Sequence, residues 1–284
     1  MEGFLLAGRT FTASKKLIKK YGDGCESCRN RKGFSFQGNR CSGCQTIWAC
    51  RDINFDLYHG EILGIVGESG SGKSTLVRSL YLEEIPTNGE MFVQTFEHGK
   101  ENVFTTSAQK QRELRNHHMG MVYQNPYLGL RMDYSSGGNI AEKLIAADCY
   151  HVGHIRKRAV ELLERVEISR VRMDEPPKNF SGGMQQRVQI SKALANEPPM
   201  LLLDEVTTGL DLSVQAKVLD LIRSLQKELK VSMIVVSHDL SVIRMLTDRT
   251  LVLHQGGIVE EGLTDQILED PQHEYTKLLV HSLI

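Results

Sequence analysis

The sequence predicts an α/β fold built around a mostly parallel sheet. Two observations carry that expectation. Short apolar runs at 61–66, 200–203 and 231–236 each feed a helical segment, as buried parallel strands do. The first of these runs ends in a glycine-rich turn before its helix. Composition is compatible: 40% hydrophobic and 24% charged residues suit a globular protein with a sizeable core. With 34 Lys+Arg against 35 Asp+Glu the formal charge is −1, so no basic field points to nucleic acid.

Taken in order, residues 3–21 read as strand material and 22–50 as a Gly-rich, polar insertion without helical periodicity. Residues 53–57 alternate as a strand does, 58–60 turn the chain, 61–66 form a buried strand and 73–82 a helix. From 100 to 182 the composition shifts toward a mostly helical subdomain. Residues 109–116 are helical there, and 155–168 are amphipathic with apolar positions at 159, 160, 162, 163 and 166. The Gly- and Ser-rich stretch 134–139 reads as the connection between them. The strands at 200–203 and 231–236 precede helices at 213–229 and from about 240, and 251–260 is a hairpin turning on Gly256-Gly257. The longest apolar runs fall far short of the roughly 18–20 residues a spanning helix needs, and the opening residues do not resemble a secretory signal, so a cytoplasmic location is expected.

Six cysteines are present, five of them within positions 25–50. Cys25-x-x-Cys28 and Cys41-x-x-Cys44 are separated by 12 residues. Each pair places two thiols on one tight turn, and two facing turns make a four-sulfur site for zinc or an iron–sulfur cluster. The plainer reading is a pair of reduced thiol turns or a redox motif. Cys50 is a fifth thiol, available to replace one ligand or serve a cluster. Arg29, Arg31, Lys32 and Arg40, between the pairs, read as a solvated face.

Residues 67–75, Gly-Glu-Ser-Gly-Ser-Gly-Lys-Ser-Thr, fit G-x-x-x-x-G-K-[ST] between a strand and a helix. Gly67, Gly70 and Gly72, with Ser69 between them, let backbone N–H groups wrap a phosphate, and the helix N-terminus adds its dipole. Lys73 reaches the β- and γ-oxygens, Ser74 offers its hydroxyl to Mg²⁺, and Thr75 follows on the helix. A nucleoside triphosphate is the expected ligand. Asp204 ends a second strand, where a carboxylate can hold the magnesium shell, and the adjacent Glu205 can polarise an attacking water.

These residues, with three further stretches, resemble the ATP-binding cassette (ABC) ATPases. Phe180-Ser181-Gly182-Gly183-Met184-Gln185-Gln186-Arg187 is similar to the family's signature motif, and Gln124 to its Q-loop glutamine. Thr207-Thr208-Gly209-Leu210-Asp211 resembles the D-loop, and His238 the switch histidine. Departures are Val206 where proline is usual and Phe180 where leucine is usual. The resemblance implies a P-loop NTPase of ABC type spanning 1–284: a RecA-like core, an antiparallel β subdomain, a helical subdomain and the inserted module at 22–50. It implies ATP hydrolysis with Glu205, His238 and Gln124 as catalytic residues and Ser74, Gln124 and Asp204 around Mg²⁺. The adenine-stacking aromatic is Tyr21 by context, 46 positions before Gly67 because of the insertion, or its rival Trp48. Asp211 of the D-loop joins the nucleotide-binding residues, and Ser181, Gly182 and Gly183 of a second ABC subunit, identical or different, complete each site, which implies an ATP-dependent dimer.

Within the family, the tail 270–279 resembles oligopeptide and nickel importer ATPases, whose partners are membrane permeases. The stretches 129–131, 136–140, 180–187 and 262–265 are more similar to the PhnK-type ATPase subunits of bacterial carbon–phosphorus lyase systems, which dock on a soluble lyase core in phosphonate metabolism. The cysteine module lies outside that pattern and leaves a third reading, an ATP-gated scaffold for a metalloenzyme.

Overall fold

A computed structural model describes residues 10–26, 28 and 36–282. Residues 3–9 of the expected first strand and the basic residues 29–32 lie outside these; Arg40 is exposed. In chain order, strands β1 (Thr10–Tyr21), β2 (Phe36–Gln37), β3 (Arg40–Cys41), β4 (Ile47–Tyr58) and β5 (Ile62–Val66) lead into helix α1 (Lys73–Leu80) and β6 (Asn88–Val93). Then come α2 (Ala108–Glu113), β7 (Met119–Val122), α3 (Pro126–Gly129), α4 (Ser136–Ile145), α5 (Val152–Arg165) and α6 (Gly182–Ala193). The chain continues through β8 (Met200–Asp204), α7 (Leu212–Leu229), β9 (Ser232–Val236), α8 (Leu240–Leu246), β10 (Arg249–His254), β11 (Gly257–Leu263), α9 (Thr264–Glu269) and α10 (Glu274–His281).

The structure divides into two compact units, 1–106 with 235–284, and 107–234, the second boundary falling inside β9. The first unit holds an antiparallel sheet of order β2-β3-β4-β1-β6. It also holds the run β11-β10-β5, in which β10 pairs with β5 in parallel and with β11 antiparallel. Every residue of β5 is buried, because an all-apolar strand covered on both faces needs no polar side. The second unit sets β8 in parallel against β7, both buried throughout, with α6 packed on β7.

Three expectations change. The cysteine segment is not separate from the strand after it: β4 begins at Ile47, inside 22–50, and pairs with β1 as far as Tyr21↔Ile47. Of the stretch 134–139, residues 136–139 are helix and not loop. Ser135 accepts a hydrogen bond from Gly138 N–H and starts α4, so capping by serine outweighs the glycine pair that suggested a break. The hairpin turns one residue early, on Gln255-Gly256, both with positive φ (48° and 79°) as a two-residue turn of this hand requires.

Candidate functional site

In the first unit, β5 delivers the chain into the loop 67–72. Gly67 (φ 154°) has no room for a side chain: a Cβ there would lie 2.1 Å from Leu253 O. Gly72 (φ 106°) is similar, its Cβ position being 2.0 Å from Ala49 O. Gly72 is also the N-cap of α1, and no side chain caps that helix. Lys73 is 4% exposed, and its Nζ donates to Gly67 O and Glu68 O, both at 2.8 Å. The buried ammonium is thus satisfied by the loop itself.

The loop is held from outside as well. Asn39 Nδ2 donates to Gly70 O at 2.7 Å, Gly256 N–H to Ser71 O at 3.0 Å, and Glu68 N–H to the Tyr275 hydroxyl at 2.9 Å. Tyr275 stacks on His254 at 3.8 Å, and burial raises its phenol pKa. Carbonyls of Gly67, Glu68, Gly70 and Ser71 are therefore all engaged by protein donors. A loop with its carbonyl dipoles neutralised, running into an uncapped helix, is a concavity suited to an anion. Ser69 and Gly70 are exposed on it, Ser74 and Thr75 half-buried at the start of α1. His238 is exposed on the turn after β9, where Ser237 N–H bonded to Ile65 O sets it beside the end of β5.

In the second unit, Asp204 closes β8 and is 3% exposed. Glu205 follows at φ 46°, a left-handed conformation unusual for a residue with a side chain. Its carboxylate accepts from Gln124 Nε2 at 3.0 Å and Thr208 Oγ1 at 3.2 Å. Gln124 is itself positioned by α6: Gln186 Nε2 donates to Gln124 O at 3.1 Å, and Gln189 Nε2 to Tyr123 O at 3.1 Å. Ser181 is the N-cap of α6 yet makes no side-chain cap, and both it and Gly182 are exposed. Gly183 is buried against α7, where a Cβ would meet Val214 Cγ1 at 2.3 Å. Asp211 caps α7, accepting from Val214 N–H at 3.0 Å and Ser213 Oγ at 2.7 Å; the Ser213 hydroxyl holds its carboxyl below the usual range.

Tyr21 and Trp48 sit on adjacent strands, with Lys20 rather than Tyr21 opposite Trp48. Tyr21 is 42% exposed and its hydroxyl bonds the Glu84 carboxylate; burial of the ring raises its pKa. Trp48 is half-buried, with its Nε1 buried and unpartnered.

Cys25, Cys28, Cys41 and Cys44 converge, their sulfurs all within 4.8 Å of one another. Cys25 Sγ lies 3.8 Å from Cys41 Sγ, and Cys28 Sγ 3.8 Å from Cys44 Sγ. Burial pushes the Cys28 thiol up to about 11, while hydrogen bonding to Thr46 holds Cys44 down to about 6. Cys50 is not in the group; it is buried in β4 opposite Lys19, and burial raises its thiol to about 12. The sequence missed Asn39, Gln189 and the His254–Tyr275 stack, because nothing local to them signals what they reach across the fold.

The family model for ABC transporters matches residues 50–208, more than half the chain. The chain belongs to the ABC ATPase family. The cassette is 48% identical over 233 residues to the Escherichia coli (strain K12) protein PhnK, named as an ATP-binding protein of phosphonates utilization, covering 82% of this chain and 90% of that one. It is 41% identical over 242 residues to the oligopeptide transport ATP-binding protein OppD of Bacillus subtilis (strain 168), covering 84% and 67%. Among solved structures, it is similar to a dimeric ATP-binding cassette in a post-hydrolysis state with ADP and phosphate (TM-score 0.73, 28% identity, 89% and 98% covered). A second neighbour is cbiO1 from Clostridium perfringens, part of an ABC transporter complex (TM-score 0.74, 25% identity, 92% and 91% covered). The cassette is therefore an ATP-hydrolysing enzyme with the mixed, partly parallel α/β architecture of its family. No described helix is long and apolar enough to cross a membrane.

Proposed function

We propose that this ABC ATPase dimerises around ATP and uses its hydrolysis to remodel a soluble carbon–phosphorus lyase-type complex in phosphonate metabolism, in the cytoplasm. The likeness to PhnK carries this reading: it extends over nine-tenths of that protein, and the identity exceeds that to OppD. Residues 100–182 serve as the helical subdomain and 22–50 as an inserted module.

In this scheme Lys73 gives its ammonium to the β- and γ-phosphates in exchange for its present carbonyl partners, and the amides of 67–72 and of α1 wrap the same group. Ser74, Gln124 and Asp204 are the proposed magnesium ligands; a hydroxyl, an amide carbonyl and a buried carboxylate form the hard oxygen set that suits the ion, which when bound neutralises phosphate charge. Glu205 orients and deprotonates the attacking water, with Gln124 steering its carboxylate, and His238 stabilises the γ-phosphate. Tyr21 or Trp48 stacks the adenine. The uncapped start of α6, Ser181 to Gly183, closes over the ATP of a partner cassette, and Asp211 orders the turn beside it.

The test uses the Glu205→Gln chain with Mg-ATP and a purified carbon–phosphorus lyase core. Co-elution on a sizing column only when nucleotide is present is the expected result. A column on which the trapped dimer never travels with the core rejects the lyase reading. The likeness to OppD supports a second reading, an importer ATPase, for which the same protein would co-elute with a peptide permease in detergent.

A further inference from the structure

We propose that the four-cysteine cluster is a single zinc site whose occupancy sets how tightly the phosphate loop holds nucleotide. The second half of this inference rests on the assignment of 67–75 as the ATP loop; the first half does not.

The spacing of the sulfurs separates a single ion from a cluster, and zinc is the single ion that closed four-thiolate structural sites take. A tetrahedral ion with metal–sulfur bonds of about 2.3 Å has sulfur–sulfur edges of about 3.8 Å. Two such edges, Cys25–Cys41 and Cys28–Cys44, measure 3.8 Å, and no pair exceeds 4.8 Å. An iron–sulfur cluster distributes its thiolates over several irons and spreads them beyond this range. The backbone around the sulfurs is arranged as in a metal knuckle. Cys25 N–H donates to Cys28 Sγ at 3.2 Å, Gln45 N–H closes a turn on Cys41 O at 2.9 Å, and Gly24 N–H reaches Thr46 Oγ1 at 3.0 Å, tying one knuckle to the other. Among the described residues 22–47 the regular structure is slight, helical residues at 26 and 28, two-residue strands and the first residue of β4, so four converging thiols here need an ion to hold them together.

The connection to the loop runs through one hairpin. Cys41 ends β3, and Cys44 lies in the turn between β3 and β4. Asn39 stands in the turn before β3, two residues from Cys41; its carbonyl accepts Trp48 N–H at 2.8 Å, and its side chain donates to Gly70 O at 2.7 Å. At the other end of the hairpin, Ala49 O fills the space where Gly72 lacks a Cβ, and Trp48 O lies against Gly256, whose N–H holds Ser71 O. The residues that anchor the metal and those that clamp the loop are thus a few positions apart on one strand–turn–strand unit. Loss of the ion frees Cys41 and Cys44, the turn carrying Asn39 relaxes, and Gly70 O turns back toward the anion's place. Metal bound at the sulfurs therefore favours nucleotide at the loop, and nucleotide favours metal by the same factor.

The test begins with metal content of the full chain purified anaerobically with zinc supplied. One zinc per chain is expected; absence of metal, or iron with visible absorption, overturns the zinc assignment. Equilibrium binding of a fluorescent ATP analogue is then measured on zinc-loaded and chelator-stripped protein, with far-UV circular dichroism and a cooperative thermal melt confirming that the fold persists. Asn39→Ala leaves all four thiols in place and removes one hydrogen bond to the loop. It should retain zinc and weaken binding roughly three- to tenfold, the worth of one such bond. Stripped protein should weaken by at least as much, as should Cys44→Ser. Unchanged affinity in folded, stripped protein and in Asn39→Ala overturns the coupling. Lys73→Ala serves as the separate control: if it binds the analogue as tightly as the unaltered chain, the ATP-loop assignment fails, while the zinc content still stands or falls alone.

Discussion

Among the described residues, seven helices, α2, α3, α4, α5, α7, α8 and α10, begin with a side chain that accepts a hydrogen bond from their own first turn, supplied by Ser107, Asn125, Ser135, His151, Asp211, Asp239 and His273. Two helices of eight residues or more, α1 and α6, begin without one. For α6 the difference is not one of residue type: Ser181 is as good a cap as Ser107 or Ser135, yet its hydroxyl makes no capping bond. A capped end already has one of its orphan N–H groups bonded and a side chain standing over the rest, so it offers less to an outside partner. Among the described helices of eight residues or more, the open ends belong to the phosphate loop and to the signature motif, while short α9 is also uncapped; the contrast among the long helices separates starts that serve the fold from those available to an anion.

The strongest way to break this contrast is Lys73→Ala. It should weaken binding of a fluorescent ATP analogue more than about a hundredfold, since it removes the one buried cation at the open end of α1. Glu205→Gln comes next: phosphate release should fall by about a hundredfold or more, while Mg-ATP brings the protein to dimer size on a column. Ser181→Ala and Asp211→Ala form a matched pair. Losing the cap at Asp211 should cost about 1 kcal/mol and lower the melting temperature by roughly 2–4 °C. Losing the Ser181 hydroxyl should leave the melting temperature in place while ATP turnover slows; a melting shift equal to that of Asp211→Ala would show that Ser181 is an ordinary cap. A pH-dependent effect lies inside capped α4. Burial lowers Lys143 from 10.5 to about 8, its Nζ donating to Arg115 O and Met119 O. The unfolded chain holds that proton to higher pH than the folded one, so stability should rise as pH goes from 8 to 10.5. Denaturant titrations of Lys143→Met should lose this increment.

Much of the phosphate-loop region is legible in the sequence, because glycines at 67 and 72 leave room that only glycine can leave, and the strand before them is wholly apolar. The strands β5, β8 and β9 and the helices α1, α2, α5, α7 and α8 follow from the same periodicities. What escapes is set by contacts distant in sequence. Glu205 looks like a strand-end acid, and its left-handed backbone shows only once Gln124 and Thr208 are seen to grip the carboxylate. The glycine pair at 137–138 signals a break, yet the cap at Ser135 outweighs it. The cysteine spacing announces four thiols in one place, while the merging of their hairpin into β4 depends on pairing with β1, nearly thirty positions away.

The phosphate loop is fastened by donors and acceptors at 39, 256 and 275, so its three clamps come from near the start, near the end and the very tail of the chain. A peptide carrying 62–80 holds every residue of the motif and none of these clamps. The loop's working shape is consequently a late product of folding, reached after the two extremities of the unit have come together, since each contact must first close a long stretch of chain. A nascent polypeptide that has emerged only as far as α7 would carry the motif with the Asn39 clamp alone, and would gain the others as Gly256 and then Tyr275 follow.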